Sequence, residues 1–204
     1  IMRPDVEHRL RLGPLTRQGA AWVSLAALSA MAPLQAAVPE CPASRAVYLT
    51  FDTGHMGVAP GVAQVLKQHQ VKATFFLANE ATLEGGSSLD AQWAPWWQAR
   101  ALEGHVFASH TWDHWVWRGS VQAAPGEPQR WRFSPTAGAD KGKMLTVEPQ
   151  AYCEQLQRPL AWLRATAPQA RIGKAFRAPA GRVSAALLQG AQACGYTHIP
   201  WTPA

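Results

Sequence analysis

The chain has 204 residues, 48 % of them apolar, enough to build the core of one domain and too many for a disordered chain. Its formal net charge is +6, part of it at the front, where Arg3, Arg9, Arg11 and Arg17 outweigh Asp5 and Glu7. No basic stripe or nucleic-acid motif accompanies that charge, so no nucleic-acid partner is expected.

The first segment has the layout of an export signal. Arginines come first, an apolar run follows from Ala20 to Ala32, and small residues stand at Ala36 and Ala37. A signal peptide is therefore expected over residues 1–37, and the mature domain over 38–204. The apolar run is short for a bilayer and Pro33 interrupts its end, so no stable membrane insertion is expected after cleavage; an uncleaved anchor is the alternative. Without an Arg-Arg pair the general export route fits best, leading to the periplasm or the outside of the cell. Cys41, Cys153 and Cys194 are an odd number without metal-site spacing. They are taken as structural, with one disulfide of undetermined pairing.

Arg45–Phe51 (RAVYLTF) is short, apolar and rich in β-formers, which predicts a buried strand. Val62, Val65 and Leu66 sit at helical spacing within a helix over Pro60–Gln68. Val71–Leu77 is a second strand, Trp97–Leu102 a short helix ended by Gly104, and Val106–Ala108 a third strand running into His110. From Gly119 to Gly142 the composition shifts to Pro, Gly, Gln and Arg, which predicts a long surface insertion or loop. A helix follows over Glu148–Thr166, with Pro159 placed to kink or split it. Ile172–Phe176 is a strand, Ser184 caps a helix through Gln192, and Tyr196–Trp201 is the last strand. This alternation predicts an α/β fold with a parallel sheet, open or closed into a barrel. Asp52, His110 and Arg177 each follow a strand, where such folds carry their sites.

His110 and His114 are four residues apart, a spacing that on one helical turn aims both imidazoles at a shared divalent ion. Asp52, at a strand end, can take the proton of a water activated by such an ion. Ten tryptophans are present; most are expected to pack, and of the few whose flat faces suit sugar rings Trp112 and Trp115 are favoured because they flank His114. His55 is open to three readings: a third metal nitrogen, a substrate contact or a solvent-facing loop residue.

Together Thr50–Gly54 (TFDTG), His110–His114 (HTWDH) and Arg177–Pro179 (RAP) resemble, in content and order, the motifs of the polysaccharide deacetylase family, carbohydrate esterase family 4. The flanks VKATFFL and EGHVFASH are similar too, and the resemblance runs from about Ala43 to Trp201. It implies a distorted (β/α) barrel with fewer than eight repeats and hydrolysis of N-acetyl groups on an N-acetylglucosamine-containing polysaccharide, peptidoglycan or exopolysaccharide. It implies Asp52 as catalytic base, Arg177 as the residue orienting it, and His110 and His114 as ligands of a divalent metal, Zn²⁺ first, with Co²⁺ or Ni²⁺ also suited. Pro179, in the third motif, is placed by it near substrate.

The sequence departs from that pattern at two motif positions. Thr53 stands where the family has a third, carboxylate ligand, and Ala180 where it has an aromatic. The family's late motifs, including the one with the general acid, lie past Trp201, so the chain is expected to be a C-terminally truncated member with an incomplete barrel; His198 does not fit the late motif. The alternatives are a deacylase of a lipid-linked sugar and a glycan-binding domain without catalysis.

Overall fold

The computed structural model describes residues 47–122 and 124–202. The expected signal segment and Cys41 lie outside these residues. Five short strands make a parallel sheet. They are β1 (Thr50–Asp52), β2 (Thr74–Leu77), β3 (Val106–Ser109), β7 (Arg171–Phe176) and β8 (Thr197–His198), in the order β1-β2-β3-β7-β8. Helices α1 (Ala59–Gln68), α2 (Ala94–Leu102), α3 (Pro149–Thr166) and α4 (Ala185–Ala193) connect or follow them. The result is an α/β fold whose parallel strands form an open arc, an incomplete (β/α) barrel.

Side chains alternate across the sheet. Phe75, Leu77 and Phe107 belong to the main core, together with Trp97 from α2 and Leu156, Leu160 and Leu163 from α3. Thr50, Phe76, Ala108 and Ala175 line a groove on the other side. The register decides where the polar residues land. Asp52 pairs with Phe76, Leu77 with Ser109, and Ser109 with Phe176, so the C-terminal ends of β1, β3 and β7 finish side by side. Phe107 pairs with Ile172 while Ser109 pairs with Phe176, so β7 carries extra residues opposite β3. Such an irregularity re-aims the residue that follows it, here Arg177, whose N–H bonds to the Ser109 carbonyl.

The stretch expected to be a loop over 119–142 is a correction. It contributes to a three-stranded antiparallel sheet of β4 (Trp115–Val121), β5 (Arg130–Pro135) and β6 (Leu145–Val147), in that order. Pro125, Gly126, Pro128, Gly138 and Gly142 fall between the strands, whereas Gly119 is in β4 and Pro135 ends β5. The strand β5 alternates, with Trp131 and Phe133 buried and Arg130 and Arg132 exposed, and Phe133 stacks on Tyr152 of α3 with ring centroids 5.0 Å apart. Two sheet ends also differ from expectation. Val47 and Tyr48 are 92 % and 84 % exposed and precede β1 rather than joining it. The last strand is only Thr197–His198, and Pro200 beyond it has no N–H for the ladder.

Pro159 neither splits nor ends α3, which runs unbroken from Pro149 to Thr166. Cys153 of α3 and Cys194, just after α4, form a disulfide closing a 41-residue separation. By loop-closure entropy, reducing it should cost about 4 kcal/mol. A Cys153→Ser/Cys194→Ser variant should therefore unfold at lower urea than the wild type, and an unchanged midpoint would show that the helix packing needs no crosslink.

Candidate active site

The site forms where β1, β3 and β7 end. Arg177, almost wholly buried, is held on three sides. Its Nη1 donates to Asp52 Oδ1 at 2.9 Å, its Nη2 to Thr50 Oγ1 at 3.0 Å, and its Nε to the Ile199 carbonyl at 3.1 Å. The guanidinium also lies over the Phe76 ring at 4.2 Å. A planar fork pinned this way fixes the Asp52 carboxyl in orientation as well as in charge. Asp52 Oδ2 is left on the open side, 3.9 Å from His110 Nε2, and accepts from the Trp201 indole N–H at 3.2 Å.

His110 and His114 do come together, with ring centroids 4.8 Å apart, but not on a helical turn. The segment after β3 is a loop in which Thr111 (φ 63°) and His114 (φ 50°) take left-handed backbone. Thr111 Oγ1 accepts from the Trp115 N–H at 2.8 Å and closes that loop. His110 Nδ1 sits 2.8 Å from the Arg177 carbonyl; a carbonyl only accepts, so Nδ1 carries the proton and Nε2 keeps its lone pair. His114 Nδ1 pairs with Thr136 Oγ1. Burial holds both imidazoles below their ordinary range, His114 at about 4 with the neighbouring His110 adding to the effect. Both are therefore neutral near pH 7, the form that binds metal, and their outer nitrogens are tied as metal-ligating histidines usually are.

Thr53 does not fill the place of a carboxylate ligand. Its hydroxyl accepts from the Ala78 N–H at 2.7 Å and donates to the Ala78 carbonyl at 3.1 Å, so it stitches β1 to the end of β2. Among the described residues no three His, Cys, Asp or Glu side chains come close enough to share an ion. Two imidazoles with free Nε2 atoms thus fit a divalent ion, and a third protein ligand is not in place.

Sequence reasoning missed Glu80. Its carboxyl lies against the Thr53 hydroxyl, and its Oε2 is buried without a hydrogen-bond partner. Burial, with the Asp52 charge adding, pushes it up to about 7, against the lowering effect of Thr53. A carboxyl raised in the folded state contributes stability below its unfolded value of 4.5 and loses it as the pH rises through about 7. In chelator, Glu80→Gln should therefore match the wild type below about pH 4 and exceed it in stability by up to about 3 kcal/mol above pH 8. A gap that does not change with pH in urea melts would remove Glu80 from this account. Nothing in a lone Glu after a strand signals such burial; it comes from Ser88, whose side chain and main chain pin the Glu80 backbone.

The remaining expectations divide. His55 is exposed, with Nδ1 accepting from the Gly57 N–H, and it borders a cavity of about 240 Å³ beside Asp52, Thr53 and Trp96. Trp112 is half-buried, its ring under the Arg158 guanidinium at 4.7 Å. Trp115 is a correction: it is 7 % exposed and packs on Phe133 at 5.1 Å, because it opens β4 and turns into the core. Pro179 is also buried, in the turn after Arg177. Trp201, far away in sequence, is the tryptophan that touches Asp52. His198 lies in β8, in register with Phe176 and with its ring against that residue's ring.

The chain is 39 % identical over 79 residues to the peptidoglycan-N-acetylglucosamine deacetylase PgdA of Listeria monocytogenes, a match covering 38 % of the chain and 15 % of that protein. It is 33 % identical over 84 residues to a chitin deacetylase of Colletotrichum lindemuthianum, covering 40 % of the chain and 32 % of the relative. The matches thus take in less than a third of either protein's length, or about that. In fold it is similar to a CE4 family pseudoenzyme from Bacillus anthracis, with a TM-score of 0.50 and 18 % identity over 76 % of this chain and 42 % of that one. The family profile for polysaccharide deacetylase matches residues 40–199, most of the chain including all three motifs, and the protein belongs to the polysaccharide deacetylase family.

Proposed function

We propose that the protein is an exported, metal-dependent N-deacetylase acting on an N-acetylglucosamine-containing polysaccharide. The observation that carries this is the Arg177–Asp52 pair, with the free side of Asp52 facing His110 of the neutral His110–His114 pair. A divalent ion held by the two Nε2 atoms would polarise an amide carbonyl and acidify water; Zn²⁺ suits imidazole ligands, as do Co²⁺ and Ni²⁺. The chain's own residues do the rest. Arg177 holds Asp52 Oδ1, which leaves Oδ2 to take the proton of the attacking water. The Arg177 carbonyl and Thr136 aim the two imidazoles. Glu80 keeps a second carboxyl beside Thr53, one that burial holds largely protonated up to about pH 7. The sugar contacts of this reading are His55, beside the cavity next to Asp52, and the half-buried Trp112. Export rests on the leader-like order of residues 1–37; among the described residues no helix is long and apolar enough to cross a membrane.

A second reading, glycan binding without hydrolysis, is favoured by one observation: the Thr53 hydroxyl is spent on Ala78. One assay separates the two. The purified protein is incubated with chitin oligomers and with peptidoglycan, with added Zn²⁺ or with chelator, and acetate is measured. Release that needs the ion is expected. Retention of either polymer without acetate would favour the binding module.

A further inference from the structure

The loop that carries the two histidines is not relaxed. Thr111 and His114 both occupy left-handed backbone, which costs on the order of 1–3 kcal/mol per residue and persists only where the surroundings impose it. Asn79, Thr136 and Ala137 each donate a main-chain N–H into the loop, and α3 holds it from the other side. The Trp112 N–H donates to the Gln155 main-chain carbonyl at 2.9 Å. The Asp113 N–H donates to Gln155 Oε1 at 2.8 Å, and Gln155 Nε2 donates back to Asp113 Oδ2 at 2.9 Å. Gln155 is only 5 % exposed, so these bonds are made out of water, where they hold firmly and are costly to leave unmade. Arg158, one residue before the proline, covers the Trp112 ring and lies 3.6 Å from Asp113 Oδ2.

A helix carbonyl in mid-run normally accepts from the N–H four residues on. For Gln155 that residue is Pro159, which has no N–H and whose ring pushes the carbonyl aside. The carbonyl is thereby free for Trp112 without ending the helix.

We propose that Pro159 and Gln155 form a positioning device for the histidine pair, the proline vacating a main-chain acceptor that, with the Gln155 amide, holds the His110–His114 loop in its strained shape. Neither residue touches substrate or ion; both act through the loop. The functional consequence rests on the reading of His110 and His114 as metal ligands, whereas the loop's own order does not.

The test uses the full chain with Pro159→Ala and Gln155→Leu. Three readouts are taken: thermal melting in chelator, Zn²⁺ and Co²⁺ affinity by calorimetry, and amide exchange at Trp112 and Asp113 without metal. An interior proline ordinarily weakens a helix, so Pro159→Ala should melt no lower than wild type. It should nonetheless bind Zn²⁺ about 10-fold more weakly, the lower end of what residues supporting metal ligands cost, and exchange its Trp112 amide at least about 10-fold faster. Gln155→Leu should speed exchange at Asp113 and weaken Zn²⁺ binding by about 10- to 100-fold. A merely structural proline would move stability and affinity together. Unchanged exchange at Trp112 in Pro159→Ala overturns the proposal whether or not the protein binds metal. Faster exchange with unchanged Zn²⁺ affinity, in a protein whose binding is lost with His110→Ala, also overturns it as a device for the pair. A wild type that binds no ion with faster exchange in the variant leaves the clamp standing and strikes the metal reading instead.

Discussion

Asp52→Asn should lower acetate release by about 10²–10⁴-fold, the usual worth of a positioned general base, while leaving ion binding within about two-fold of wild type. The geometry explains why the two readouts separate. The asparagine oxygen can still accept from Arg177 Nη1, so the buried guanidinium keeps its partner and the local fold survives. The other side then presents an amide NH₂, which cannot take a proton, towards His110 and Trp201. The histidine Nε2 atoms are untouched. Activity close to wild type in this variant would remove Asp52 from the base role, and loss of the ion together with activity would make it a ligand instead.

His110→Ala is expected to have the other large effect: loss of measurable Zn²⁺ binding and a fall in acetate release on the order of 10³-fold, about 4 kcal/mol of transition-state stabilisation. His110 is buried, and its Nδ1–H is the partner of the Arg177 carbonyl. Truncation therefore removes one of only two imidazoles and leaves a buried acceptor unmatched, at a further cost of about 1–3 kcal/mol in stability. Calorimetry with Zn²⁺ and melting of the same preparation keep the two costs apart. Retained ion affinity in a folded His110→Ala protein would show that the ion, if any, sits elsewhere.

These two variants bracket the departure at position 53. If both behave as expected, a threonine there is tolerated because its hydroxyl ties β1 to β2 while a carboxyl remains close by on Glu80. If the wild type itself retains either polymer and releases no acetate, the arrangement of Asp52, His110 and Arg177 serves glycan binding alone.

Much of this site was legible before any coordinates. Each of Asp52, His110 and Arg177 follows a short apolar run, and in a parallel sheet those runs end on one side. Three residues spread along a stretch of 125 positions were thereby grouped by pattern. The histidine pair was also legible as a pair, although through the wrong device: a spacing of four suits a helix, but Trp112 and Asp113 are bonded to α3 and the loop is forced into left-handed backbone. The antiparallel sheet was concealed by average composition over 119–142, even though Arg130–Pro135 alternates in the way a half-buried strand must.

What the sequence by itself determined is therefore local and periodic: the alternation of strands and helices, the polar residues that stop each strand, the proline at 159 and the kinds of side chain available for chemistry. What only the tertiary structure decided is which partners those groups find. The Thr53 hydroxyl turned to Ala78, 25 residues away; Gln155 gripped Asp113 across 42; Trp201 reached Asp52 across 149. Hydrogen bonds of that separation leave no periodic trace in a chain, because they depend on register and packing angle. Burial acts in the same way, raising Glu80 and holding His114 neutral only after the core has closed around them.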